Sequence, residues 1–276
     1  MKTLSSILAL ALIVVCGPAH AQSFRDFHNH NTDMKALQPT WMAPLVTTTP
    51  LLGQFVREQF TRQRVPGGDS VWNIGNGKGP SFILSPHVET DLAVPNYVVH
   101  GAASGTDGVG DFAITTKYRI VSGNSDHGNY ILTAVANQTW STGLVKNGAV
   151  SWTRSVSLGG GKAFGNIAVL SSFGALLPAE AGLATIGRPV TWNSAVEIHL
   201  APKFWAEFES NSTFYNGGTH DGKKQNFVTP GVFLSPLKPW GESSKSSILL
   251  GVGMQFATTQ YHATDHNLIV DTKFVF

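Results

Sequence analysis

Along most of the chain, apolar residues fall at every second position, the repeat of a strand whose successive side chains point to opposite faces. The last nine residues are the clearest case. Leu268, Val270, Thr272, Phe274 and Phe276 share one side, and Ile269, Asp271, Lys273 and Val275 the other. Upstream, Phe82, Leu84, Val88, Leu92 and Val94 oppose Ser85, His87, Glu89 and Asp91, while Phe112, Ile114, Tyr118 and Ile120 oppose Asp111, Thr115, Lys117 and Arg119. Val190, Trp192, Val196, Ile198 and Leu200 oppose Thr191, Asn193, Glu197 and His199. Phe204, Phe208 and Phe214 oppose Glu207, Glu209, Asn211 and Thr213, and Ile248, Leu250, Val252, Met254 and Phe256 oppose Gly251, Gly253 and Gln255. No helical period competes over these windows. Two stretches, 131–138 and 167–175, alternate poorly.

A soluble sandwich presses its apolar faces together and scatters Lys and Glu over the outside. Here the apolar faces are long and carry large side chains. Aromatic residues recur near strand ends (Trp140, Trp152, Trp192, Trp205, Phe214 and Tyr215), as in the interfacial girdles of membrane barrels. Several strands run on the order of 12 residues, against about 5–6 in soluble sheets and roughly 9–11 for a spanning strand. The pattern therefore predicts an all-β fold, a closed antiparallel transmembrane barrel of about 12 strands.

Strands are expected at 51–64, 81–94, 109–121, 128–139, 149–158, 164–177, 188–200, 203–215, 224–234, 245–257 and 266–276. A bacterial single-chain barrel needs an even number, so the short stretch 70–76 is taken as the twelfth. Both termini then lie in the periplasm, with 77–80 and 201–203 as periplasmic turns and 95–108, 178–187 and 216–223 as outer loops. The 235–244 connection is a long turn for the periplasmic side. Arg154 shares the apolar face of Val150, Trp152, Val156 and Leu158, so it belongs near an interface or the register there is wrong. Pro86 and Pro230 fall inside expected strands, where each removes a ladder donor and is expected to mark a bulge.

The beginning of the chain sets the compartment. Lys2, the apolar run 4–15 and Ala19-His20-Ala21 form a secretory signal peptide over 1–21. Residues 22–50, punctuated by Pro39, Pro44 and Pro50, are expected to be a periplasmic leader that tucks into one end of the barrel formed by 51–276. The only cysteine, Cys16, lies in the signal peptide, and Val15 before it is not the small residue a lipoprotein needs. The mature chain thus offers no disulfide, thiol nucleophile or cysteine zinc site. No later apolar run of about 18 residues provides a spanning helix. A charged fraction of 13% and a net charge of +2 give no footprint for nucleic acid.

Several short motifs resemble one family. They are Asp107-Gly108-Val109-Gly110-Asp111 leading into Lys117-Tyr118-Arg119, Gly159-Gly160-Gly161-Lys162, Asn211-Ser212-Thr213, Thr229-Pro230-Gly231 and Gly251-Val252-Gly253. With these the chain resembles the outer-membrane transporter group named for the meta-pathway of phenol degradation. The resemblance implies a barrel in the outer membrane of a Gram-negative bacterium that passes hydrophobic aromatic compounds, and it supplies no catalytic motif. The terminal Phe276 is also similar to the endings of bacterial outer-membrane proteins, which implies the barrel-assembly machinery as a partner during biogenesis, beside outer-membrane lipid.

Glu89, Asp91, Asp111, Lys117, Arg119, Glu197, His199, Glu207, Glu209, Asp271 and Lys273 are expected to face the lumen. They either brace or plug the barrel as a neutralising network, or line a polar pore that selects by charge. Lys117 and Arg119 have acidic candidates all round, which favours bracing. Asp26, His28, His30 and Asp33 read as a polar tail rather than a metal cluster, and Asp107 to Asp111 as a glycine-supported turn. Gly251-Val252-Gly253 opens no βαβ unit and is no dinucleotide loop. No cofactor or metal is expected. The function expected is passive passage of small molecules through an outer-membrane channel. The alternatives are an outer-membrane lipid hydrolase, for which His199 near Ser194 and His87 near Ser85 are the Ser–His candidates, and a structural or surface-adhesion barrel with an occluded lumen.

Overall fold

The computed structural model describes residues 31–102, 105–144, 146–244 and 246–276. The signal-peptide reading, with Cys16, and Asp26, His28 and His30 lie outside the described residues. Alternation becomes a wall of twelve antiparallel staves, each paired with the next along the chain. They are β1 (Phe55–Arg64), β2 (Ser70–Ile74 continued by Pro80–Ser85), β3 (Val88–Ala93 continued by Tyr97–His100) and β4 (Gly108–Val109 continued by Phe112–Gly123). Then follow β5 (Tyr130–Trp140), β6 (Thr153–Phe164), β7 (Ile167–Pro178) and β8 (Val190–Ala201). The wall is completed by β9 (Phe204–Phe214), β10 (Lys224–Leu237), β11 (Ser247–Ala257) and β12 (His266–Val275). The barrel closes where β1 meets β12, from Phe55 opposite Val275 to Arg64 opposite His266. Closure leaves no sheet edge, the condition for strands in lipid.

The count of twelve agrees with expectation, but the boundaries near the beginning do not. The expected strand 81–94 is two strands, because the chain reverses at Pro86 and His87, with Ser85 opposite Val88. The expected turn at 77–80 is instead a kink within β2. Ile74 faces Phe60 and Pro80 faces Val56, so five residues, 75–79, stand against three on β1. Gly75, Asn76 and Gly77 all take positive φ there. The loop expected over 95–108 shrinks to 101–107, because Tyr97–His100 pairs with β2. Pro86 therefore marks a turn. Pro230 marks no bulge: Val228 opposite Phe256 and Gly231 opposite Gly253 keep one register across it.

One end of the barrel holds the start of β1, the end of β12 and the connections 86–87, 124–129, 165–166, 202–203 and 238–246; we call it the turn end. The other, the loop end, carries 65–69, 101–107, 141–152, 179–189, 215–223 and 258–265, including the short helix α1 (Glu180–Ile186).

The distribution of side chains is inverted relative to a soluble protein. Leu158, Phe173, Val196, Phe208, Val252 and Val270 stand exposed on the outside, while Glu89, Glu197, Glu209 and Asp271 are fully buried within. Phe164, Trp240 and Phe274 ring the turn end, with Trp240 edge-on to Phe274 at 5.4 Å. Trp140, Trp152, Trp192 and Phe214 ring the loop end. Arg154 lies at the loop end of β6, bonded to Gln138 at 2.8 Å and placed over the Trp152 ring, so its guanidinium avoids the midplane. Trp205 departs from the expected girdle: it faces inward and stacks on His199 at 4.2 Å.

Candidate functional site

The lumen is filled by the chain itself. Residues 31–36 are helical at the turn end, where Asn31 bonds the Phe276 carbonyl, Ser122 the Leu37 carbonyl and Asn124 the Ala36 carbonyl. The segment then rises: the Trp41 indole donates to Asn129 at 3.1 Å, and Thr47 reaches Asn211 at 3.0 Å near mid-barrel. It turns there and descends. Thr133 donates to the Pro50 carbonyl, and the Gly53 amide donates to Glu89 before β1 begins. Proline at 39, 44 and 50 keeps this stretch from pairing as a strand. Apart from Phe276 to Gln54 at its root, no backbone–backbone bond joins 31–54 to the wall among the described residues.

Side chains hold it instead, in three places. Met34 and Leu52 pack on Ile83; Trp41 and Leu51 pack on Ile131, Ala168 and Leu170; Met42 and Leu45 pack on Phe233, Leu249 and Ile269. The last seat is cut to shape by glycine. A Cβ added at Gly231, Gly251 or Gly253 would come within 2.7, 3.0 or 2.5 Å of the Leu45 methyls.

Of the charged residues expected in the lumen, Glu89, Arg119, Glu207, Glu209 and Lys273 bond this plug. Glu209 accepts from the amides of Val46, at 2.8 Å, and Thr47; Glu207 accepts from Leu45 at 3.3 Å. Arg57, which the sequence reading did not single out, binds Asp271 at 2.7 Å and donates to the carbonyls of Pro44 and Leu45, both at 3.0 Å. Lys273 donates to the Ala43 carbonyl and Arg119 to the Met34 carbonyl, each at 3.3 Å. Lys117 sits between Glu89 at 2.6 Å and Asp91 at 3.6 Å. Glu197, opposite Glu207 in the β8–β9 ladder, is fully buried beside the Met42 backbone. His199 lies lower, stacked on Trp205 and lining a small recess with Trp41.

Asp111 stands apart: its carboxylate accepts from the Gly143 and Ala149 amides and ties down the 141–152 loop. Asp107 likewise accepts from the His100 amide at 2.7 Å. Among the described residues neither hydrolase candidate forms a hydroxyl–imidazole pair, and Ser85 Oγ accepts only from the His87 backbone amide, at 3.3 Å. Ser194 faces outward against Ser171, away from His199, and the His87 ring bonds the Arg119 carbonyl at 3.0 Å. At the last loop His262 bonds the Thr259 carbonyl at 2.8 Å and Asp265 at 2.9 Å.

Above the plug, a cavity of about 640 Å³ opens toward the loop end between the inner faces of β6, β7, β8 and β9. Thr48, near the tip of the plug, lines its inner end.

No family model and no curated protein matches the chain, so the meta-pathway resemblance rests on its motifs alone. Among solved structures, the chain is similar to the KdgM porin in complex with disordered oligogalacturonate, at 11% identity over 80% of this chain and 99% of that one, with a TM-score of 0.46. It is similar to the outer membrane protein Omp33 of Acinetobacter baumannii at 8% identity over 83% and 100% of the two chains, with a TM-score of 0.43. Similarity to OccD3 of Pseudomonas aeruginosa is 12% identity over 79% and 60%, with a TM-score of 0.39.

Proposed function

We propose that this chain is an outer-membrane conduit for small solutes, with both termini periplasmic, held shut by residues 31–54. The observation that carries the reading is how the plug is attached. Its contacts with the wall run almost wholly through side chains, so withdrawal would leave all twelve ladders intact. A segment that formed part of the wall would be bonded to it backbone to backbone. This one is held by carboxylates and a guanidinium on its backbone and by apolar knobs in shaped seats, all of which can let go together. The exposed apolar belt supports lipid around the wall, and the long loops at one end support that end as the outer one. Of the two roles open to the inward charges, their contacts support the bracing one, directed at the plug. A hydrophobic aromatic cargo is supported by the family motifs only; the polar inner wall favours polar solutes.

Liposome swelling tests the reading. The full chain should admit small solutes slowly, and variants with a loosened plug should admit them faster. If both are silent to every solute, the occluded structural barrel is the better account.

A further inference from the structure

We infer that the loop-end cavity is a binding site for a small neutral polyhydroxylated solute, of sugar-like chemistry. This deepens the conduit reading and rests on it for what becomes of the solute afterwards. The site is built from two rungs of the barrel ladder. Ser157, Gly174, Thr191 and Thr213 lie side by side across β6 to β9, and Gly159, Ser172, Asn193 and Asn211 lie on the rung beneath. Gly174 keeps the upper rung open, since a Cβ there would come within 2.6 Å of the Ser157 side chain.

Three features define the ligand. The first is charge: among the described residues no Lys, Arg, Asp or Glu lines the cavity, and Glu209 below is occupied by the plug's amides. An ion entering here would lose water with no counter-charge to replace it. The second is hydrogen bonding. Nine of the seventeen described lining residues carry a hydroxyl, and among the described residues the side chains of Ser157, Ser172, Thr191, Asn193 and Thr213 find no hydrogen-bond partner. Ser172 is only 6% exposed, so its hydroxyl looks to the cavity for a partner. A hydrocarbon or simple aromatic filling this space would strand these groups, and such sites discriminate strongly against ligands lacking the matching hydroxyls.

The third feature is the mouth. Thr219 donates to the Thr185 carbonyl at 3.1 Å and joins two loops beside the opening. There Tyr215, His220 and Tyr261 form a ring cluster with centroids 5.0–5.6 Å apart, Tyr215 and His220 being part of the lining. Such rings offer flat amphipathic surfaces with polar tips, suited to a sugar ring's mixed faces. The volume lies in the ordinary range for small-molecule sites, about 300–1,000 Å³.

Calorimetric titration of the detergent-solubilised full chain with maltose tests the site, with galacturonic acid and phenol as comparison ligands. Maltose should bind saturably, and the other two at least tenfold more weakly. Asn193→Leu should weaken maltose about tenfold and the nearly isosteric Thr213→Val several-fold, with heat-modifiable gel migration confirming that each variant folds. Absence of maltose binding, equal or tighter binding of phenol or galacturonic acid, or indifference to both substitutions would overturn the assignment. Swelling of liposomes in maltose separates the two claims. Maltose that binds while neither the full chain nor a variant with a loosened plug passes any solute upholds the site and sinks the conduit, whereas passage without saturable binding sinks the site.

Discussion

Leu45→Ala is the most informative single perturbation of the plug. Leu45 is completely buried, its methyls lie in the niche left by Gly231, Gly251 and Gly253, and it packs on Phe233, Leu249 and Ile269. Truncating such a residue costs about 2–5 kcal/mol, because the transfer energy is lost and the vacated niche collapses only in part. The β10–β12 ladder includes nothing from the plug, so the loss falls on the balance between docked and withdrawn plug rather than on the barrel. At 1.4 kcal/mol per factor of ten, that balance shifts roughly 30- to 3,000-fold toward withdrawal. Planar-bilayer recording should show the wild type almost always closed and the variant open for a much larger share of the time. Heat-modifiable migration should be the same for both. An unchanged open fraction in a folded variant would refute the reasoning, since the best-packed anchor would then have no influence on closure.

Other expectations follow from the wall and loops. Phe173, 61% exposed at the middle of β7, should tolerate Leu, whereas Phe173→Arg should cost about 2–4 kcal/mol and lower the folded fraction in lipid measured by gel migration. Asp271→Ala should destabilise by about 3–5 kcal/mol in urea titrations of the lipid-reconstituted barrel, because it strands the buried Arg57, and Asp271→Asn should be milder. His262 has its pKa raised by its bonds to the Thr259 carbonyl and then to Asp265. The stabilisation of the 258–265 loop is therefore full below the ordinary histidine value and is lost as pH rises through the raised one. Hydrogen exchange in that loop should quicken over this window, and His262→Gln should abolish the dependence.

The architecture was legible because apolar side chains outside and charged ones inside impose a period of two on nearly every strand. The same regularity hid the turn at Pro86. Ser85 and Val88 pair across a two-residue reversal, so alternation of faces continues from Phe82 to Val94 as if the strand were unbroken. The kink at Gly75 to Gly79 has the composition of a turn, and only pairing with β1 distinguishes the two.

The plug left a trace that local periodicity alone does not decode. Stretches 131–138 and 167–175 alternate poorly because Ile131, Ala168 and Leu170 are apolar residues facing inward, and what they meet is Trp41 and Leu51. Inward Phe233, Leu249 and Ile269 repeat the signal beneath Leu45. Apolar residues on the water side of a membrane barrel thus map where its own chain sits. Arg57 escaped notice for a related reason: its role depends on Asp271, 214 positions away, and on carbonyls of a segment with no period at all.

Thr47 and Asn211 already touch across the plug and wall. The double substitution Thr47→Cys with Asn211→Cys therefore makes a reversible lock, read by solute entry into liposomes. If the plug is the gate, the oxidised protein is impermeable and reduction restores entry to the rate of the unmodified chain. Equal rates before and after reduction, with the crosslink verified, would mean that solutes do not wait on this segment.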